Sequence, residues 1–133
     1  MKAIKSKIVK ALPNQAKIIT CDNSGAKVIK IISVKGHKTS KGRMPAAGVG
    51  DMVLASVKKG RPDMAKEVVF AVIVRQKKEF RRPDGTRIKF EDNAAVVVKD
   101  EKGNPKGTLL KGPIAKEACD RWPGISKLAK IVV

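Results

Sequence analysis

Apolar and polar positions alternate along this chain in short blocks. The longest apolar block is Val68-Val69-Phe70-Ala71-Val72-Ile73-Val74, with no polar member and several β-branched side chains. Such a run predicts a strand buried on both faces or close to it. A second apolar block, Ala94-Ala95-Val96-Val97-Val98, follows some twenty residues later. Between them, Thr86-Arg87-Ile88-Lys89-Phe90 alternates strictly, which turns one face inward and points Arg87 and Lys89 out. Ala16 to Cys21, Ala26 to Val34 and Met52 to Val57 also read as strands, Val and Ile dominating the second of these.

Polar punctuation separates the blocks. Pro83-Asp84-Gly85 is a turn, because Pro presets φ and Gly accepts φ > 0. Asp22-Asn23-Ser24-Gly25 is a second, built from short polar side chains that bond their own backbone. Ile8 to Leu12 predicts a first short strand or helical turn, ended by Pro13-Asn14. Ile114 to Arg121 suits two helical turns with Pro113 just ahead of them, stopped by Trp122-Pro123-Gly124. Ile125 to Val133 reads as either a second short helix or a closing strand. Five or six short strands at this spacing, followed by one or two small helices, predict a mainly β fold and a small closed or nearly closed barrel. At 133 residues the chain is expected to be one domain, residues 1–133, with its helical part at about 113–133.

Charge then narrows the function. Thirty Lys and Arg face 12 Asp and Glu, a formal net charge of +18 and a pI near 10.3. So large an excess repels itself in the compact state and points to a polyanionic partner. Nucleic acid is favoured over a membrane, since no stretch reaches the ~18 apolar residues of a spanning helix and no basic amphipathic helix of useful length is present. The basic start of the chain has no apolar segment after it, so no secretory signal is expected. Cys21 and Cys119 lie in no metal-ligand spacing and there is one histidine, His37, which leaves no zinc site and favours two reduced thiols in the cytoplasm.

Enzyme chemistry finds little support. Gly36 to Gly42 lacks the order of a nucleotide P-loop, and Gly48-Val49-Gly50 precedes a strand, the wrong context for a dinucleotide fingerprint. His37, with Asp22 or Asp51 as its only named acid partners, does not make a nuclease. No catalytic activity and no cofactor are expected. Within nucleic-acid binding, base stacking is poorly served. There are three Phe, one Trp and no Tyr, and Phe70 and Phe90 fall on inward positions, leaving Phe80 and Trp122. Two cationic segments suit phosphate contacts to a folded RNA instead. One is the glycine-bearing basic loop from Lys35 to Arg43, mobile or a ribbon tip, with Lys38, Lys41 and Arg43. The other is a stiff hairpin with seven Lys or Arg between Arg75 and Lys89.

Several motifs occur in an order shared with one family. They are Asp22-Asn23-Ser24-Gly25-Ala26, Gly48-Val49-Gly50-Asp51, Ala71-Val72-Ile73-Val74-Arg75, Arg81-Arg82-Pro83-Asp84-Gly85, Ile88-Lys89-Phe90, Asp92-Asn93-Ala94 and Gly112-Pro113-Ile114. On these the chain resembles the universal large-subunit ribosomal protein fourteen family, in its archaeal/eukaryotic form, from about Lys17 to Val133. The resemblance implies a five-stranded β-barrel with a projecting β-ribbon and short C-terminal helices. It implies a structural constituent of the large ribosomal subunit that binds large-subunit ribosomal RNA. It further implies a place at the subunit interface, bridges to small-subunit RNA, neighbouring ribosomal proteins, and an anti-association factor docking on the C-terminal part. Carried onto this chain, Lys38, Lys41, Arg43, Lys77, Lys78, Arg81, Arg82, Arg87 and Lys89 become the candidate RNA contacts. Thr108, Lys111, Lys116 and Arg121 become the candidate interface or factor surface. A free-standing RNA-binding or RNA-chaperone barrel shares the charge and the fold, and differs in its stoichiometry on ribosomal particles.

Overall fold

The two apolar blocks in the middle of the chain pair with each other. A computed structural model describes residues 2–37 and 39–133. In it β6 (Val68–Arg75) runs antiparallel to β9 (Ala94–Val98), Ala71 opposite Val97 and Val72 opposite Val96. With β2 (Lys17–Thr20), β3 (Ala26–Val34) and β5 (Met52–Gly60) they close a barrel in the order β2-β3-β5-β6-β9. Every neighbouring pair is antiparallel except β2 with β9.

Strand alternation sorts the apolar side chains into two cores. Ile18, Ile29, Ile31, Val53, Ala55, Val57, Ala71, Ile73, Ala95 and Val97 fill the barrel. The other faces of β6 and β9, with Val72, Val74, Val96 and Val98, pack against Ile114, Ala115, Ala118, Cys119, Trp122 and Ile125. A C-terminal layer therefore covers one wall of the barrel, and Ala71 to Val74 of β6 and all of β9 are apolar because both their faces are enclosed. Val68 corrects the expectation for the full run: it belongs to neither core, lies opposite Ser56, and is 57% exposed.

That layer departs from the sequence reading in register. Pro113–Ile114 is a strand, β10, pairing in parallel with β11 (Ile131–Val132), and α1 begins later, at Lys116–Arg121. Pro123 and Gly124 do not stop the helical region. They open α2 (Pro123–Leu128), where Pro at the first turn loses no intrahelical hydrogen bond. Both alternatives for Ile125 to Val133 are realised in turn, helix and then strand. Near the start, β1 (Leu12–Pro13) pairs with β4 (Ala46–Ala47), so Pro13 lies within the strand it was expected to end. A third small sheet joins β7 (Phe80–Arg81) to β8 (Arg87–Ile88), forming the ribbon. The aromatics are corrected too. Phe80 and Trp122 are 1% and 3% exposed, whereas Phe70 and Phe90 are only half-buried. The indole Nε1 of Trp122 donates to the Gly50 carbonyl at 2.8 Å, which accounts for its buried polar end.

Candidate nucleic-acid interface

The ribbon is held at its base by two buried polar residues. Arg75, at the end of β6, places Nε 2.9 Å from Asp92 Oδ1 and donates through Nη1 to the carbonyls of Lys111 and Pro113, each at 3.1 Å. Gln76, fully buried, accepts from the Val49 N–H at 3.0 Å and donates to the carbonyls of Val9 at 3.2 Å and Lys78 at 2.9 Å. Asn93 adds an acceptor for the Lys77 N–H at 2.8 Å. Buried polar groups paired through several contacts fix direction, since any other geometry breaks those contacts.

From that base β7 and β8 place Phe80 opposite Ile88 and Arg81 opposite Arg87. Phe80 and Ile88 pack on the core, so both arginines face solvent, and no carboxylate lies within ion-pair distance of either among the described residues. Like charges directly opposite on a ribbon are unfavourable without an anion between them. Lys77, Lys78 and Lys89 are exposed on the same excursion, with Lys78 beside Glu79 at 3.2 Å. At the tip Gly85 has φ +91°, and Asp84 Oδ1 accepts from the Thr86 N–H at 3.0 Å and hydroxyl at 2.7 Å. Those two bonds hold the Asp84 carboxyl below its usual range.

Arg82 differs from its neighbour. Its Nε is 2.8 Å from Glu117 Oε1, and its Nη2 donates to Glu117 Oε2 at 3.3 Å and to the Val133 carbonyl at 2.5 Å. Glu117 lies on α1 and is 5% exposed, so Arg82 braces the ribbon against the C-terminal layer. Of the seven cations expected on the hairpin, Arg75 and Arg82 are thus bound internally and five remain outward.

In the basic loop, Lys41 and Arg43 are exposed and unpaired among the described residues, Lys41 with φ +59°. Lys38 lies outside the described residues. Lys35 is drawn to Glu101 at 2.6 Å. On the C-terminal side Thr108, Lys111 and Lys116 are exposed. Arg121 is turned inward: it reaches Asp51 Oδ1 at 3.3 Å and lies over the Trp122 ring.

The shared motifs turn out to be fasteners. Asp22 accepts from the Val97 N–H at 3.0 Å and the Ser24 hydroxyl at 2.9 Å, and burial pushes its carboxyl pKa up. Asn23 Oδ1 takes the N–H groups of Thr108 at 2.8 Å and Leu109 at 3.2 Å. Asp51 binds the Gly48 N–H at 2.9 Å, Lys10 at 2.6 Å and Arg121. Both acids named beside His37 are therefore committed to structure. Spacing alone did not reveal these roles, because each joins segments far apart in the chain. Cys21 and Cys119 are free and buried, and burial raises both thiols to about 11. Among the described residues, no helix is long and apolar enough to cross a membrane.

Fold and charge together define a small basic five-stranded barrel that carries a cationic ribbon and a short helical layer. The family model described as ribosomal protein L14p/L23e matches residues 11–133. Curated proteins agree over nearly the full length. "Large ribosomal subunit protein uL14" of Methanococcus maripaludis strain S2 is 58% identical over 132 residues, covering 99% of each chain. The protein so named in Methanococcus vannielii is 56% identical with 99% of each chain covered. The one in Nanoarchaeum equitans is 56% identical with 100% of each covered. The chain belongs to the ribosomal protein L14p/L23e family.

Proposed function

We propose that this chain is a structural constituent of the large ribosomal subunit that binds large-subunit ribosomal RNA directly. The observation that carries the reading is the ribbon: Arg81 opposite Arg87, with Lys77, Lys78 and Lys89 beside them, outward on a base held by buried Arg75 and Gln76. Lys41 and Arg43 on the basic loop add a second exposed cationic segment, with Lys38 assigned to it from sequence. Arg82 contributes by holding the ribbon in place. On the C-terminal side the exposed Thr108, Lys111 and Lys116 are assigned to neighbouring ribosomal proteins, to bridges to small-subunit RNA and to an anti-association factor, whereas Arg121 is held inward by Asp51.

The test is a high-salt wash of cell extract followed by a sucrose gradient. About one copy per large-subunit particle is expected. Loss to the top fractions would favour transient RNA binding off the ribosome. In parallel, Arg81→Ala with Arg87→Ala is expected to weaken binding of the chain to a large-subunit RNA transcript and to flatten its salt dependence by about 1.4 to 1.8 in log–log slope. Wild-type affinity and slope in that variant would remove the ribbon from the contact surface.

A further inference from the structure

The barrel itself carries charge of one sign. Its five strands hold five lysines and one arginine and no carboxylate. The arginine is Arg75, already paired with Asp92. All five lysines fall on β2, β3 and β5: Lys17, Lys27, Lys30, Lys58 and Lys59. These strands are adjacent in the closed order, and they form the wall across the barrel from β6 and β9. The C-terminal layer covers β6, β9 and the Met52 end of β5, while Lys17, Ile19, Lys27, Ile32 and Lys58 on this wall are exposed.

Register places Lys17 directly opposite Lys30, and Lys30 opposite Ser56. Opposite Cβ atoms on neighbouring strands are about 5 Å apart, so the two ammonium stems run side by side and repel. Two residues along each strand, on the same outward face, stand Ile19 and Ile32, 42% and 44% exposed. None of the five lysines has an ion-pair partner among the described residues. The arrangement matches the ribbon's Arg81 and Arg87: like charges set face to face with no ion-pair partner among the described residues. In the free chain it costs stability twice, through repulsion and through bared aliphatic surface. A bound polyanion offsets the first, and a broad close contact offsets the second.

We propose that the outer wall of β2, β3 and β5 is a second RNA-contact surface, Lys17 and Lys30 gripping the sugar–phosphate backbone while Ile19 and Ile32 pack on the sugars between phosphates. The proposal rests on the RNA-binding reading and adds a face to it. RNA is chosen over an acidic protein because the lysines are spread across three strands about 4.8 Å apart, which suits a backbone with an anion at every step.

The experiment uses the full chain and a large-subunit RNA transcript. In Lys17→Gln with Lys30→Gln, affinity at 0.1 M salt is expected to fall about tenfold and the log–log salt slope to flatten by about 1.4 to 1.8. The thermal midpoint of the free variant is expected to stay level or rise, since repulsion is removed. Lys17→Arg with Lys30→Arg keeps the charge and should keep wild-type affinity, which separates charge from packing. Wild-type affinity and slope in the glutamine variant, while the Arg81/Arg87 variant weakens binding, would overturn the wall and leave the ribbon standing. No effect in either variant would bring down the RNA-binding reading itself. Loss of binding to a polyglutamate chain without loss of binding to the transcript would assign the wall to an acidic protein and overturn the proposal. Reduced affinity in the arginine variant would do so as well.

Discussion

Arg81 and Arg82 are adjacent in sequence and have opposite fates. Arg81 faces solvent across from Arg87, whereas Arg82 turns under the ribbon to Glu117. Removing Arg82 leaves a buried carboxylate without its partner, so Arg82→Ala is expected to cost about 3 kcal/mol of stability. Arg81→Ala should stay within about 0.5 kcal/mol. Denaturant midpoints of the two variants decide it, and equal midpoints would show that the brace carries no weight. The thiols give a pH prediction. Burial holds Cys21 and Cys119 at about 11, above the ~8.5 of an unfolded cysteine. A raised folded pKa contributes stability that is intact below the unfolded value and lost as pH rises through the folded one. Stability supplied by the thiols should therefore decline between about pH 8.5 and 11, and Cys21→Ala with Cys119→Ala should lose less over that window. At pH 8.5 a thiol reagent is expected to label the chain only after denaturant is added; rapid native labelling would contradict the burial.

Among the elements, the ribbon and the turn before β5 show what glycine is for. A Cβ on Gly48 would meet Ile8 Cγ2 at 2.6 Å and the Val9 carbonyl at 3.0 Å, backbone that cannot yield far. Gly85 has open space around it and needs only its left-handed φ of +91°. Gly48→Ala is expected to destabilise by about 1–3 kcal/mol through overpacking, and to loosen the leading segment that Gln76 also holds. Gly85→Ala should cost about 1 kcal/mol of backbone strain. Thermal unfolding of the pair checks the order. The helical end differs from its sequence pattern because one dipeptide carries two meanings. Pro123-Gly124 carries the signature of a stop, and it also suits the first turn of a new helix, where an absent N–H is harmless. Sequence offers both meanings, and packing of Trp122 and Ile125 onto β6 and β9 selects one.

For the molecule as a whole, a net charge of +18 is a standing cost in the free state. Raising sodium chloride from about 0.05 to 0.5 M screens charges beyond a few ångströms, so the thermal midpoint of the isolated chain is expected to rise by several degrees. A midpoint that falls would mean that salt-sensitive attractions, such as Lys10–Asp51–Arg121, outweigh the repulsion. The same excess is arranged by the fold on the ribbon, the basic loop and the open wall, while β6 and β9 stay shielded under the C-terminal layer.

Much of this was decided by the order of residues alone. The apolar blocks specify β6 and β9 because only two-sided burial tolerates so long a run without a polar residue. The alternation of Arg87, Ile88, Lys89 and Phe90 sets the outward face of the ribbon, since strand side chains must alternate. The charge excess indicates a polyanion because no compact chain bears it without cost. What tertiary structure decided is the partner of each polar group. Arg75, Arg82 and Arg121 look in sequence like Arg81 and Arg87, and they become internal because Asp92, Glu117 and Asp51 are brought beside them from distant segments. Lys17 and Lys30 read as ordinary strand lysines until the register of the β2–β3 pair sets them face to face. Local pattern determines which way a side chain points; only the fold determines what it meets there.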